Sequence, residues 1–476
     1  MSIARIKVVK VIDTFSPAEL NRLEKFICSP YFNVNEQMIG LFNLLYETLK
    51  KGELDELNKE AVFSELYPGK KYSDARFRKL CSDLLKLIEE FLAIEEFEEN
   101  PLHEAGYLMK SIARRKIEPL YNSVLKSARR LSNRQYEVAA SYYYHQYEIE
   151  KNYFYMLESE MKRETRLNLE QIAKNLDYFF MAEKLRYYAT ALSQKAFTTQ
   201  EYQLLFMDEI LTHLEQVDYS EIPQISVNLA VLKVYMYPDN EEYYYQLKSE
   251  IFRNIDRFPA LEGREIFFAA LNFCVRKGNK GKESFIRESF LLYKFALEKE
   301  YLYYHGELTP WSYKNIVFVG LRLREFDWVE DFIHRYSKFL NDEHRDNAVT
   351  FNLARLYAYK GNFEKVLELL RMVEFADISY ALGAKAMLLV TYYELDEIDA
   401  LLSFLSTFRV FLNRKKKQLP EQRRKNYLNL IKYTQKLATL NPMDKGAISK
   451  LRKELEKSPQ VADIQWLMEK LRELER

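Results

Sequence analysis

Glycine and proline are both scarce: twelve of each stand among 476 residues, about 5% together where roughly 12% is average usage. A many-turned β protein needs more punctuation than that. Only Gly278-Asn279-Lys280-Gly281 clusters glycine, and it lacks the order of a phosphate-cradling loop. Cysteine is rarer still. Cys28, Cys81 and Cys274 are odd in number and far apart, which argues for a reducing compartment and against a disulfide framework. No uncharged run reaches 18 residues, and "MSIARIKVVKVIDTF" has no apolar core of signal-peptide length. The expected address is the cytoplasm, without a membrane span. The six histidines (His103, His145, His213, His305, His334, His344) show no HExxH and no zinc-ligand spacing, and no GxSxG elbow occurs. Carboxylates abound, but a helical surface always supplies pairs of them. The expectation is no metal, no cofactor and no catalytic residue: a non-enzyme.

What is present points to helices. Apolar residues make up 48% and charged residues 30%, enough for a large core beneath a well-solvated surface, and disorder is excluded. The fold class expected is all-α. Net charge is +1, so no global field draws the chain to nucleic acid or membrane. The balance is local instead. Residues 403–476 hold 18 Lys/Arg against 8 Asp/Glu, whereas residues 1–100 hold 14 against 18.

The clearest internal pattern lies in residues 311–402, where a unit of apolar helix, short polar break and second apolar helix recurs about every 34 to 35 residues. Its best copy is "FNLARLYAYKGNFEKVLELL", residues 351–370. Ala354 is small where a helix must approach its neighbour, and Tyr357 fills the hairpin interior. Gly361 permits a left-handed turn, and Phe363 is expected to plug between the helices. Val366 and Leu370 carry the inward face of the second helix. Upstream, a 34-residue shift places Gly320 at the small position and a 35-residue shift places Trp328 over Phe363. Downstream, a 35-residue shift aligns Tyr392 with Tyr357 and Ile398 with Phe363, with Leu389 where a small residue belongs. This unit resembles a tetratricopeptide repeat, and the chain as a whole is similar to uncharacterised bacterial tetratricopeptide-like proteins. The resemblance implies an α-solenoid of degenerate helical hairpins that binds another protein and brings no catalytic site.

Before the repeats, Ser16-Pro17 opens a helix, Asn33 or Asn35 caps the next, and Pro68-Gly69 and Ser73 precede a long one. Phe77, Leu80, Leu84, Leu87, Ile88 and Phe91 give that helix its buried stripe. The short helix, turn and "SDARFRKL" have the outline of a helix-turn-helix, with Arg76, Arg78 and Lys79 at its leading end. The six glutamates of "EEFLAIEEFEE" oppose a phosphate partner there. Farther on, Lys126, Arg129 and Arg130 share a helix face, with Arg134 nearby, and seven tyrosines lie between Tyr136 and Tyr155. Tyrosine, apolar in body and polar at its tip, suits helices buried on one side. Their reading is inter-helix packing, the alternative an aromatic groove for a peptide.

Four segments result: an N-terminal helical capping domain (1–100), an irregular helical-hairpin array (101–305), tetratricopeptide-like repeats (306–412) and a basic C-terminal helical cap (413–476). Arg414, Lys415, Lys416, Lys417, Arg423, Arg424 and Lys425 gather around Pro420 and form the most partner-like patch. The expected function is a scaffold for protein–protein interaction, with an unidentified protein or a second copy as partner. The alternative is a nucleic-acid-associated regulator that uses the N-terminal helix-turn-helix-like segment or the basic C-terminal patch.

Overall fold

The computed structural model describes residues 3–53, 57–133, 139–160, 167–195, 201–371, 378–458 and 460–475. The protein is all-α, 79% helical, with 23 α-helices among the described residues. Beside them the described residues hold one small antiparallel hairpin, Tyr303–Tyr304 with Glu307–Leu308. His305 and Gly306 both take positive φ at its tip, as a two-residue turn matched to strand twist requires. The chain divides into two compact units, Met1–Lys184 and Leu185–Arg476.

The first unit holds α1 (Lys7–Ile12), α2 (Pro17–Ile27), α3 (Glu36–Lys51), α4 (Lys59–Leu66), α5 (Asp74–Glu99), α6 (Pro101–Arg115), α7 (Tyr121–Asn133) and α8 (Ala140–Glu160). The unit boundary falls within α9 (Leu169–Lys195). Helix starts follow the local sequence. Ser16 and Glu19 form a reciprocal capping box on α2, Asn35 accepts from Gln37 and Met38 at α3, and Ser73 caps α5. The 26-residue α5 is the hub, packing on α1, α2, α3 and α6. Its stripe of Phe77, Leu80, Leu84, Leu87, Ile88 and Phe91 is fully buried. Then α6, α7 and α8 pack on one another around Met109, Ile112, Ala128 and Ile149.

The second unit continues with α10 (Met207–Gln216), α11 (Pro223–Met236), α12 (Glu241–Asn254), α13 (Ala260–Asn279), α14 (Glu283–Glu298), α15 (Pro310–Arg322) and α16 (Phe326–Tyr336). It ends with α17 (Asp342–Tyr359), α18 (Phe363–Leu370), α19 (Ile378–Glu394), α20 (Ile398–Arg414), α21 (Glu421–Ala438), α22 (Lys445–Glu456) and α23 (Ile464–Glu475). From α11 to α21 each helix packs on the next in sequence. In addition α11 packs on α13, α15 on α17, α17 on α19 and α21 on α23.

Four successive hairpins of this unit turn in the same way. Gly281, Arg324, Gly361 and Asp396 each adopt a positive φ, between 57° and 89°. In each, the N–H of the turn residue donates to the carbonyl three residues back, and the following N–H donates to the carbonyl five residues back. The second bonds are Lys282 to Lys277 (3.2 Å), Glu325 to Gly320 (3.0 Å), Asn362 to Tyr357 (2.9 Å) and Glu397 to Tyr392 (2.9 Å). This pairing satisfies the last carbonyls of the first helix and reverses the chain within two residues. The turn residues lie 43, 37 and 35 positions apart. The spacing is therefore unequal even though the turn is constant.

Candidate functional site

Counted from these turns, the repeat residues find their places. Tyr357, Tyr392 and Gly320 occupy one position, the carbonyl that accepts the second turn bond. Phe326, Phe363 and Ile398 occupy another, the first residue of the second helix, and all three are half-buried. Trp328 stands two residues farther along, stacked on Phe332 at 5.4 Å and edge-on to Phe290 at 4.7 Å. Gly320 is required by close approach, since an added Cβ would lie 2.5 Å from Val329 Cγ2. In the hairpin of α17 and α18, Ala354 and Val366 are fully buried, and with Phe351, Leu370 and Ala384 they form one cluster against which Tyr357 packs. Phe351 fills the interior, while Phe363, expected there, sits half-buried at the helix start.

The face of α15 that stays outside this packing carries Trp311, Lys314, Phe318 and Arg322, spaced three to four residues apart. Trp311 is 59% exposed and Phe318 37%. From α17, Arg355 lays its guanidinium 4.9 Å from the Phe318 ring centroid and 5.9 Å from that of Phe351. Lys314 lies 5.5 Å from the Phe351 ring and 5.2 Å from that of Tyr380 on α19, whose hydroxyl donates to the Pro310 carbonyl at 3.1 Å. Tyr359 of α17, Tyr427 of α21 and Asp463, just before α23, stand within the electrostatic reach of Arg355.

These groups share an unusual setting. Tyr359 and Asp463 are exposed to water and Arg355 is half-exposed, yet protein crowds each closely enough to disfavour its charged form. Burial raises the Tyr359 and Tyr427 phenols and the Asp463 carboxyl, the last partly offset by Arg355, and it lowers Arg355. Surroundings dense in protein together with access for water describe a groove. Arg355 and Asp463 make no ion pair with each other among the described contacts. Asp463 is itself held at a positive φ of 52°. The groove thus presents Arg355, the Asp463 carboxyl, two phenols and an exposed aromatic wall, from three helices and a turn, with Arg322 close to Tyr359 and Arg423 at Tyr427. None of Phe318, Arg355, Tyr359, Tyr427 or Asp463 stood out in the sequence. The available signals were weak: Trp311 and Phe318 seven residues apart on one helix, and Arg355 and Tyr359 four apart on another.

The basic patch divides among several settings. Arg414, the last residue of α20, and Lys415 line a cleft with Lys385 of α19. Lys416 and Lys417 are exposed. Arg423 turns to the Tyr427 hydroxyl, Arg424 donates to Asn413 at 3.5 Å, and Lys425 pairs with Glu421 at 3.1 Å. In the first unit, Arg78 is taken by Asp74, Arg76 lies over the Tyr67 ring at 5.6 Å, and Lys79 is exposed. The α5 helix runs straight on to α6 through Asn100, with no strand pair between them. Arg129 pairs with buried Glu150 at 2.8 Å, which gives that basic helix an internal role. Arg134 and Tyr136 lie outside the described residues.

Buried and half-buried titratable groups elsewhere close on one another. Tyr244 and Lys248 both donate to Glu288, at 2.9 and 2.6 Å, beside Cys274, whose thiol burial pushes up to about 12. Among the described residues no group of three or more His, Cys, Asp or Glu side chains is placed to hold a metal ion. None of the described helices is long and apolar enough to cross a membrane. No family model, curated protein or solved structure matches the chain.

Proposed function

We propose that the chain is a non-enzymatic, tetratricopeptide-like α-solenoid scaffold, cytoplasmic in location, that binds a protein partner along the groove centred on Arg355. The observation that carries this reading is the exposed aromatic and cationic face made by α15, α17 and α21. Large aromatic side chains left at a surface beside a desolvated arginine are the usual makings of a protein-binding hot spot. Three further features support it. Neighbouring and next-but-one helices pack in sequence, as stacked hairpins must. Four hairpins share one turn geometry. The groove also draws its residues from elements more than a hundred positions apart, Phe318 to Asp463, so it exists only when the array is assembled.

The nucleic-acid reading has less behind it. Arg76, Arg78 and Arg129 are engaged with Tyr67, Asp74 and Glu150, and the exposed cations of 414–425 are few. A contact of that size would be dominated by counterion release and lost at moderate salt.

Photo-crosslinking tests the proposal. A benzophenone side chain at position 318 or 359 is expected to capture a polypeptide in cells, and the capture should vanish in an Arg355→Glu background. A control probe at exposed Glu368 should capture nothing specific. Nuclease-sensitive adducts at 318, or equal capture with and without Arg355, would overturn the reading.

A further inference from the structure

The groove centred on Arg355 carries donors that nothing among the described residues takes up. Arg322 of α15 and Arg355 of α17 converge on two shared groups. Their guanidinium carbons lie 6.0 and 4.9 Å from the centroid of the Phe318 ring, and both act on the Tyr359 phenol. Each is half-exposed, and neither makes a hydrogen bond or an ion pair with another described residue. The exposed Tyr359 hydroxyl has no hydrogen-bond partner there either. A guanidinium crowded by protein and left without an acceptor gains from an anion. Asp463 is the carboxylate that acts on both phenols of the groove. Arg322 and Arg355 together outweigh it, before Arg423 at Tyr427 is added.

The number of donors selects the anion. One guanidinium fork satisfies both oxygens of a carboxylate. Two guanidiniums and a phenol offer more than a carboxylate accepts, whereas a phosphomonoester has three terminal oxygens and about 1.5 to 2 negative charges at neutral pH. The rings select what carries it. Arg322 and Arg355 lie against Phe318, and Lys314 lies 5.5 Å from the Trp311 ring centroid. These cations compete for the faces on which a nucleobase or the ring of a phosphotyrosine would stack. The rest of the indole, 59% exposed, stays open to an apolar side chain. Trp311 stands two helical turns before Phe318, about 10 Å along α15, roughly the span of three extended residues. We propose that the groove binds a polypeptide segment bearing a phosphorylated serine or threonine, whose phosphate oxygens accept from Arg322, Arg355 and the Tyr359 hydroxyl while an apolar side chain nearby in that segment rests on Trp311. This inference rests on the scaffold reading and gives its partner a chemistry.

The test is retention of the full chain on beads carrying twelve-residue peptides, degenerate except for a central phosphoserine, serine, glutamate or phosphotyrosine. The phosphoserine beads are expected to retain the wild-type chain, and the other three to bind at least about tenfold more weakly, the order of one lost close charge pair. Arg322→Gln and Arg355→Gln should each weaken phosphoserine binding by about the same factor. Arg355→Lys keeps the charge without the fork and should restore only part of it. Asp463→Asn removes the opposing charge and should tighten binding about threefold, as a screened surface charge does. Arg322 is the last residue of α15, so its variant stands as the test if Arg355→Gln fails to fold. Equal retention on phosphoserine and glutamate beads overturns the inference, as does preference for phosphotyrosine. Phosphoserine binding unchanged in both glutamine variants, or a twelve-nucleotide single-stranded RNA that binds at least as tightly, does so too. Crosslinking from position 318 separates this failure from that of the scaffold reading. Arg355-dependent capture of a polypeptide, with nothing retained on the phosphoserine beads, means that the phosphate fails while the groove stands.

Discussion

The hairpins α15–α16 and α17–α18 have the same turn and opposite sequence signatures. In the second, Gly361 takes φ 74° at the reversal, and in the first Arg324 takes φ 59° with the same two backbone bonds. A left-handed residue with a side chain costs about 1–2 kcal/mol, an amount that two satisfied carbonyls and a packed hairpin outweigh. The comparison shows what glycine does here. It marks the repeat in the sequence without being the cause of the turn. The constraint that cannot be relaxed lies one turn earlier, where the α15 backbone at Gly320 meets Val329 and the corresponding residue of α17 is Tyr357.

The largest effect should come from the hairpin interior. Phe351 is 1% exposed and meets Tyr380 edge-on at 4.8 Å, with Lys314 and Arg355 over its ring. Phe351→Ala should cost about 3–5 kcal/mol, as a buried aromatic truncation does. Phe363→Ala, at a half-buried helix start, should cost about 1–2 kcal/mol, in proportion to the smaller area it covers. Hydrogen exchange of the α17 and α18 amides, read peptide by peptide, measures both. If the two variants lose equal protection, Phe363 is the plug and the ranking is wrong.

The turns give an intermediate and sign-reversed pair. Gly361→Ala meets nothing within 4 Å, so its cost is conformational. The left-handed penalty, less the entropy removed from the unfolded chain, leaves about 1 kcal/mol of destabilisation. Arg324→Gly reverses the argument and should stabilise its hairpin by up to about 1 kcal/mol. Asp396→Gly should gain less, because aspartate tolerates this region better than arginine. Denaturant midpoints of the single variants and of the Gly361→Ala/Arg324→Gly pair decide the matter. Loss of stability in Arg324→Gly would show that its side chain supports the turn.

These contrasts explain how much could be read from the sequence. Helix starts were legible because a cap is a local contract: Ser16 with Glu19, Asn35 with Gln37, Ser73 with Arg76. The stripe of α5 was legible because its periodicity is local too. The downstream register was legible, since Tyr392 and Ile398 fall where the 35-residue shift puts them, but the upstream one was not, because the turn at Arg324 stands 37 positions before Gly361 on a side chain that does not advertise it. The small hairpin at Tyr303–Leu308 went unread for a similar reason, since His305-Gly306 is a turn signal without strands long enough to flank it. The basic patch was visible as a run of charge, but its division between the cleft, Tyr427 and Glu421 depends on how α20 and α21 face their neighbours. The Arg355 groove was the least legible. Its members lie at 318, 355, 359, 427 and 463, and only the stacking of α15, α17, α21 and the turn before α23 brings them together.

The smallest expected effect tests that groove through its electrostatics. Burial holds the Asp463 carboxyl above its ordinary range, and Arg355 offsets part of the rise. A carboxyl whose pKa is raised by folding binds its proton more tightly in the folded chain. Stability is therefore lost as pH climbs from the unfolded carboxylate range, near 4, through the raised value, and at neutral pH the whole penalty is in place. Asp463→Asn removes the charge and keeps a residue type that tolerates a positive φ. It should raise the melting temperature at pH 7 by no more than about 2 °C, because water reaches the carboxylate and screens it. The gain should fade toward nothing as pH drops below the carboxylate range. Arg355→Met should do the reverse, destabilising more at pH 7 than at pH 4, and its cost at pH 7 should shrink when Asp463→Asn is already present. Melting curves of the two single variants and the double variant at several pH values measure this coupling. Strict additivity across that range would mean that Arg355 and Asp463 do not share a groove.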